Sequence, residues 1–460
     1  MALIKSISGI RGTIGGKPGE NLTPPDVVKF AAGYATRARQ VSKCRKLKIV
    51  VGRDARISGE MVSSLVITTL TAMGCDVINA GLATTPTVGI AVAHENADGG
   101  IVITASHNPK QWNALKLLGV NGEFLNAEEG AKVLEFAESG NFSFAEVDEL
   151  GAVTEKDFTD IHVQKIIELD LVDKAAIEAA GFSVAVDTVN SVGGIAMPAL
   201  LRALGIKNIV EINCEPTGNF AHTPEPIPEN LTETMEIIRK SNVDVGFVVD
   251  PDVDRLAIIN EDGSMFGEEY TLVAVSDYVL QHTPGNTVSN LSSSRALRDV
   301  TEKHGQKYSA AAVGEVNVVA KMKETHAVIG GEGNGGVIYP PSHYGRDALA
   351  GTALFLTHLA KSGLKCSQLR AVYPDYFISK NKIELTPAVD VDAILQQIKE
   401  KYKSEQVNDI DGVRIDFENS WVHLRKSNTE PIIRIYSEAR ASEEANALAS
   451  KIIDEIKEII

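Results

Sequence analysis

The feature that most constrains this chain is a unit written three times along it: an apolar strand, a polar loop, an amphipathic helix stopped by glycine, and a second strand. The first copy runs from Lys48 to Val51, through a helix that reaches Met73 and is closed by Gly74, to Asp76-Val77-Ile78. In the second, Val184-Ala185-Val186 leads to a helix from Ile195 to Leu204, then Gly205 and Ile209-Val210. The third begins at Thr287-Val288 and passes through Arg295 to Lys303 and Gly305. A glycine just past a helix end takes the left-handed conformation that a Cβ resists, so it ends the helix cleanly. Strands joined through helices lie parallel and are covered by helices on their faces. The last ninety or so residues break the pattern. Strands around Lys382-Ile383-Glu384-Leu385, from Gly412 to Phe417 and from Ile432 to Tyr436 precede a helix from Ala441 to Ile459 with apolar residues at helical spacing. The expected fold class is therefore α/β: three similar α/β domains with mixed, mainly parallel sheets, plus a C-terminal α+β domain, arranged around a central cleft where a ligand can bind. Boundaries fall at 1–150, 151–257, 258–370 and 371–460.

Four polar segments at strand ends carry the candidate chemistry. Ser106 lies in Thr104-Ala105-Ser106-His107-Asn108-Pro109, directly after the apolar run Gly100-Ile101-Val102-Ile103. A serine hydroxyl is a weak nucleophile at neutral pH unless a neighbour takes its proton, and His107 or Lys116 can do so. A plain turn is the competing reading, since Asn and Pro are ordinary turn formers. The second segment, Asp250-Pro251-Asp252-Val253-Asp254-Arg255, follows the apolar run Val245 to Val249. On an extended backbone, alternation puts the carboxylates of Asp250, Asp252 and Asp254 on one side, where they repel unless a cation joins them. Oxygen-only ligands suit magnesium or calcium rather than zinc, and Arg255 adds charge for an incoming phosphate. A solvated acidic turn is the alternative; Pro251 and the buried approach strand argue against it.

The third segment, Gly330-Gly331-Glu332-Gly333-Asn334-Gly335-Gly336, has five glycines in seven positions, which allows close backbone approach to a ligand. Glu332 and Asn334 are its only side chains, suited to gripping sugar hydroxyls, although a flexible turn would look similar. The fourth is Arg425-Lys426-Ser427-Asn428-Thr429-Glu430-Pro431, read as a short loop before the strand Ile432 to Tyr436. A forked guanidinium with hydroxyls and backbone amides binds a phosphate well; a charged surface turn is the alternative. Net charge is −16, so cations for an anionic ligand must be concentrated locally, and Arg11, Lys116, Arg255, Arg425 and Arg434 are the residues expected to supply them.

These four segments, in this order, resemble the alpha-D-phosphohexomutase superfamily across essentially the whole chain. Ser8-Gly9-Ile10-Arg11-Gly12 and Gly52-Arg53-Asp54-Ala55-Arg56-Ile57-Ser58-Gly59 add to the resemblance. It implies an isomerase, an intramolecular phosphotransferase that interconverts hexose 6-phosphate and hexose 1-phosphate through a phosphorylated Ser106 and a bisphosphosugar intermediate. It implies one magnesium ion per chain, held by Asp250, Asp252, Asp254 and the phosphate on Ser106, with a bisphosphorylated hexose as activator. Arg11 would face the phosphoserine, Asn113 and Lys116 would stand downstream of it, and Lys116 is a candidate proton acceptor. The substrate, a phosphorylated hexose or hexosamine, would place its phosphate on Arg425, Ser427, Asn428 and Thr429 and its hydroxyls on Glu332 and Asn334. One departure stands out: many members end the sugar loop in Ser-Gly-His, with the histidine a candidate acid or base, and here the same positions read Asn334-Gly335-Gly336. His107, Lys116 and His343 are the substitutes considered, His343 alternatively only holding its loop. The loop looks closest to archaeal-type phosphoglucosamine mutases, so glucosamine phosphate leads, with phosphomannomutase/phosphoglucomutase activity as the alternative. A magnesium-dependent sugar phosphatase with Asp250 as nucleophile and a non-catalytic phosphosugar-binding protein are remoter alternatives.

The chain of 460 residues is long enough to bury large cores without disulfides. Its four cysteines, Cys44, Cys75, Cys214 and Cys366, lie far apart without metal-ligand spacing, as for buried thiols in a reducing cytoplasm. The acidic balance argues against a nucleic-acid surface, and no apolar run reaches the length of a membrane span. A cytoplasmic monomer or homodimer with no nucleic-acid or membrane partner is expected.

Overall fold

Three of the four sheets repeat one arrangement, in which two helix-linked parallel pairings are followed by an antiparallel return. The protein is described by a computed structural model over residues 3–6, 9–42, 46–386, 389–427 and 432–459. In the first sheet Lys48–Arg53 pairs in parallel with Asp76–Leu82 and with Gly99–Ile103, and Trp112–Leu118 then returns antiparallel along Gly99–Ile103. In the second, Ser183–Asp187 lies parallel between Asn208–Ile212 and Val245–Val249, and Leu256–Asn260 returns antiparallel. In the third, Thr287–Asn290 lies parallel between Tyr308–Ala311 and Ile329–Glu332, and Gly336–Ile338 returns antiparallel. Residues 104–111, 250–255 and 333–335 are thus the connections of three equivalent hairpins. The repeat read from sequence is present, and its glycine stops Gly74, Gly205 and Gly305 have φ of 77°, 86° and 68°.

The second and third sheets share one continuous apolar core. It is built around the buried helices Glu268–His282 and Ala348–Ser362, with Phe355 meeting Phe247 and Phe266 edge-on at 6.1 and 5.2 Å between ring centroids. Such geometry adds about 1 kcal/mol per pair beyond the area buried. The first sheet keeps separate cores on its two faces, as parallel strands covered by helices require. His162 ties the three together: its Nε2 is 2.9 Å from Asp347 Oδ2 and its Nδ1 2.9 Å from Thr87 Oγ1.

The fourth sheet is wholly antiparallel, in the order Phe377–Glu384, Ile432–Ala439, Trp421–Lys426, Val413–Asp416, Gln406–Asn408. It corrects one expectation, because Arg425 and Lys426 end a strand rather than sit in a loop. The strand escapes an alternation test because both of its faces are covered. Val422 and Leu424 enter the domain's own core, while on the other side His423 meets Ser292 Oγ at 2.9 Å and Trp421 Nε1 donates to Glu438. Arg295 clamps this domain to the third, donating to the carbonyls of Phe417, Glu418 and Ser420 and to Asp416.

Candidate active site

Ser106 owes its position to a buried arginine that follows the neighbouring strand. Its backbone is left-handed, with φ of 49°, a conformation that costs a non-glycine residue about 1 kcal/mol or more and persists only when over-determined. Thr104 Oγ1 accepts from the Ser106 amide at 2.9 Å and donates to Asp54 Oδ2 at 2.6 Å. Asp54 in turn receives Arg56 Nε at 3.0 Å, and the two guanidinium ends of Arg56 donate to the carbonyls of Ser106, Asn108, Pro109 and Trp112. Arg56 is 1% exposed, so the loop is tied from beneath by a group that water does not reach. Ser106 Oγ then donates to Asp250 Oδ2 at 2.5 Å and lies 3.4 Å from His107 Nδ1. Arg11 Nη1 donates to Asn108 Oδ1 at 2.7 Å on the same loop, and Asn113 donates to Ser58 Oγ.

The three aspartates do converge, but not by strand alternation. Residues 250–255 leave the extended state, and Val253 sits at φ of 64°, a left-handed turn that a β-branched residue resists. The turn wraps the carboxylates inward. Asp250, Asp252 and Asp254 are fully buried, with one oxygen of each within 4.8 Å of the others. Asp250 Oδ1 accepts from the amides of Asp254 and Arg255; Asp252 Oδ2 accepts from Lys116 Nζ at 2.6 Å and from Thr85 Oγ1. Asp254 Oδ2 accepts from Arg346 at 2.6 Å and Lys116 at 3.3 Å. Asp252 Oδ1 and Asp254 Oδ1 are buried with no hydrogen-bond partner. Two orphaned carboxylate oxygens, a costly state in a dry interior, beside a third carboxylate and a serine hydroxyl fit a hard divalent cation. Burial and the charges of Asp254 and Asp252 push the Asp250 carboxyl well up; burial opposes the charge on Asp254 too, but Arg346, Lys116 and Arg255 hold it low. Burial likewise works against the ammonium of Lys116, and Asp252 and Asp254 reverse it, so its pKa is raised. Burial together with Arg255 and Arg11 drives His107 well below the usual imidazole range. The Arg255 guanidinium stands 3.6 Å from Glu225 and 4.0 Å from Asp254 Oδ1.

In the third hairpin Glu332 ends its strand instead of floating in a glycine loop. Its Oε1 accepts from Asn290 Nδ2 at 2.8 Å and the Gly314 amide at 3.0 Å, and its Oε2 from Arg346 Nη1 at 2.9 Å. Arg346 also reaches Asn334 Oδ1 at 3.5 Å and donates through Nε to Glu315. A Cβ at Gly336 would lie 2.3 Å from Arg346 Cδ, so the arginine fills the room a side chain there would need. His343 has its hydrogen bond, at 3.3 Å, to Asp347 Oδ2, whose other oxygen caps the helix Ala348–Ser362; that is the loop-holding role.

The network from Ser106 through the aspartates to Glu332 therefore joins His107, Lys116, Arg255 and Asn334. Arg425 and Arg434, two of the residues expected to bind phosphate, belong to strands of the fourth sheet, and Ser427 directly follows one of them. Arg425 Nε lies 2.9 Å from Asp411 Oδ2, Arg434 is exposed opposite it in the register, and Ser427 is half-buried. Asn428 and Thr429 lie outside the described residues. Asp411 links this sheet to the third, accepting from the Val313 amide at 2.9 Å, one residue before the amide that holds Glu332. The sequence reading passed over Arg56 and Arg346. Arg56 lies two residues past Asp54 and Arg346 directly before Asp347, and an arginine near an aspartate says nothing of burial.

The chain matches four models described as phosphoglucomutase/phosphomannomutase alpha/beta/alpha domains I, II and III and C-terminal domain, over residues 3–143, 160–263, 267–376 and 383–455. It is 39% identical to a phosphoglucomutase/phosphomannomutase of Thermococcus kodakarensis, covering 96% of this chain and 98% of that one. It is 32% identical to a probable phosphoglucosamine mutase of Methanopyrus kandleri, covering 98% and 97%. A crystal structure of a phosphoglucomutase/phosphomannomutase family protein from Burkholderia thailandensis superposes with a TM-score of 0.83 at 25% identity, covering 98% and 97%. No helix among the described residues is long and apolar enough to cross a membrane.

Proposed function

We propose, from the premise that this chain belongs to the phosphoglucomutase/phosphomannomutase family, that it is a phosphohexomutase working through a phosphorylated Ser106. One observation carries the reading: a strained, buried serine hydroxyl 2.5 Å from a cluster of three buried aspartates that leaves two oxygens unpartnered. Asp250, Asp252 and Asp254 would hold magnesium, with Ser106 or its phosphate as a further ligand. Magnesium there would supply positive charge to the transferring phosphoryl oxygens. Arg11 and Arg255 flank the serine loop and the aspartates and would add charge on the same side. His107, 3.4 Å from Ser106 Oγ, would accept the proton of the attacking sugar hydroxyl; Lys116 would reach the same region after giving up Asp252. Glu332 and Asn334 would take the sugar hydroxyls. Arg425, Ser427, Asn428, Thr429 and Arg434 would take the phosphate that is not being transferred. A bisphosphosugar formed at Ser106 must then turn end over end, so that its other phosphate returns to the serine.

Glucosamine phosphate is the leading substrate, in line with the probable phosphoglucosamine mutase of Methanopyrus kandleri. Glucose and mannose phosphates are the second reading, favoured by the Thermococcus kodakarensis relative and by Arg346, whose charge at 2.9 Å offsets the Glu332 carboxylate that an ammonium would need. The test supplies magnesium and a trace of bisphosphohexose with the 1-phosphates of glucosamine, N-acetylglucosamine, glucose and mannose in turn. Isomerisation that disappears in Ser106→Ala supports the mutase and names the substrate. Release of free phosphate that survives Ser106→Ala and is lost in Asp250→Asn would replace it with a phosphatase.

A further inference from the structure

Among the described residues, Arg346 pairs with more carboxylates than any other buried cation beside the site. One guanidinium meets three carboxylates from three places in the chain: Asp254 Oδ2 at 2.6 Å, Glu332 Oε2 at 2.9 Å and Glu315 Oε2 at 2.9 Å. Asp254 belongs to the second hairpin, Glu332 to the third, and Glu315 opens the helix Glu315–Thr325. A rigid planar fork can satisfy all three at once, whereas a single ammonium cannot span them. The fork has room only because position 336 is glycine, since a Cβ there would come within 2.3 Å of Arg346 Cδ and 3.0 Å of its Cγ. Gly336 is not in the left-handed region, so its lack of a side chain answers to that space and not to the backbone.

We propose that Arg346 is a positioning residue that locks the aspartate hairpin to the sugar hairpin, fixing Asp254 and Glu332 relative to one another through one guanidinium admitted by Gly336. The inference rests on the mutase reading for its catalytic consequence only. Displacing reacting partners by about 1 Å costs on the order of 100-fold in rate, so that is the expected fall in kcat when the fork is lost. KM for the hexose phosphate should move far less, because the docked phosphate is held on the fourth sheet.

The experiment uses the full chain with Arg346→Ala, Arg346→Lys, Gly336→Ala and the double variant Arg346→Ala/Gly336→Ala. Each is measured for melting temperature and for kcat and KM on whichever hexose 1-phosphate the wild type turns over fastest. Arg346→Lys should fall about as far in kcat as Arg346→Ala, since charge without the fork does not span the carboxylates. Gly336→Ala should lower both kcat and melting temperature alone, and should add nothing in the Arg346→Ala background, where its Cβ has space. Restoration of kcat by lysine, or additive losses in the double variant, would overturn the proposal. Should Arg346→Ala not fold, Arg346→Lys and Gly336→Ala decide alone, and full activity in either sinks it. Absence of hexose phosphate turnover in the wild type would count against the mutase reading, and the melting-temperature cycle would still judge Arg346.

Discussion

The serine end of the site and the proposed phosphate-binding end are built in opposite ways. Around Ser106 the cations are buried and paired: Arg56, Lys116 and Arg346 are each at most 9% exposed, and each is tied to a buried carboxylate. On the fourth sheet Arg425 is half-buried beside Asp411 at the rim and Arg434 is exposed. A group that stabilises charge on a transferring phosphoryl must be oriented before the reaction, and a dry, over-bonded setting does that. A group that catches a phosphate, releases it and catches the other one gains from staying wet and loosely held. The comparison teaches that stability and catalysis should be hard to separate at the first end and easy to separate at the second.

The largest expected effect is at the first end. Asp252→Asn removes a charge that faces the proposed metal and leaves Lys116 underpaired, and kcat should fall by about 1,000-fold, near 4 kcal/mol. Direct titration with magnesium or manganese should show weaker binding in the same variant. Next is Arg56→Ala, which strips Asp54 of its buried partner and frees four carbonyls. Breaking such a pair costs about 3–5 kcal/mol, so the melting temperature and kcat should drop together, as chemical denaturation and steady-state assays would show.

The seam between the ends responds to acid. Burial, with Arg414 and Arg425 adding to it against the Asp411 carbonyl, pushes the His423 imidazole down to about 4. An unfolded chain takes up this proton near pH 6.5, while the folded one refuses it until about 4, so stability is lost as pH falls across that window. The cost by the lower limit is about 3 kcal/mol, and His423→Gln should flatten the difference in melting temperature between pH 7 and pH 4.5. At the second end Arg425→Ala should raise KM about tenfold to a hundredfold, through loss of a charge-assisted phosphate contact, with the melting temperature unchanged. Arg434→Ala, on an exposed cation, should shift KM by roughly threefold or less. A fall in melting temperature for Arg425→Ala as large as that for Arg56→Ala would break the contrast.

Much of this was legible in the sequence because it is local. The glycine-stopped repeats are periodic patterns, and Ser106 and the aspartates sit in short segments whose composition suits little else. What the sequence hid is long-range. That Ile103 leads by a hairpin back to Trp112, or that Trp421 to Lys426 is a strand, depends on what covers each face, which no window of residues reveals. Arg56, Arg346 and His423 have partners far away in sequence, Ser106, Glu332 and Ser292, which only the fold brings to them. The aspartates converge for a reason that alternation does not supply, namely the left-handed turn at Val253.

The central claim is that Ser106 carries the phosphoryl group in transit. Incubating the protein with magnesium and a bisphosphohexose labelled in its phosphates, then digesting it and locating the label by mass spectrometry, tests this directly. The account predicts label on the peptide containing Ser106, lost to unlabelled hexose monophosphate on a chase and absent in Ser106→Ala. Label on Asp250 as a hydroxylamine-sensitive acyl phosphate, persisting in Ser106→Ala, would contradict it.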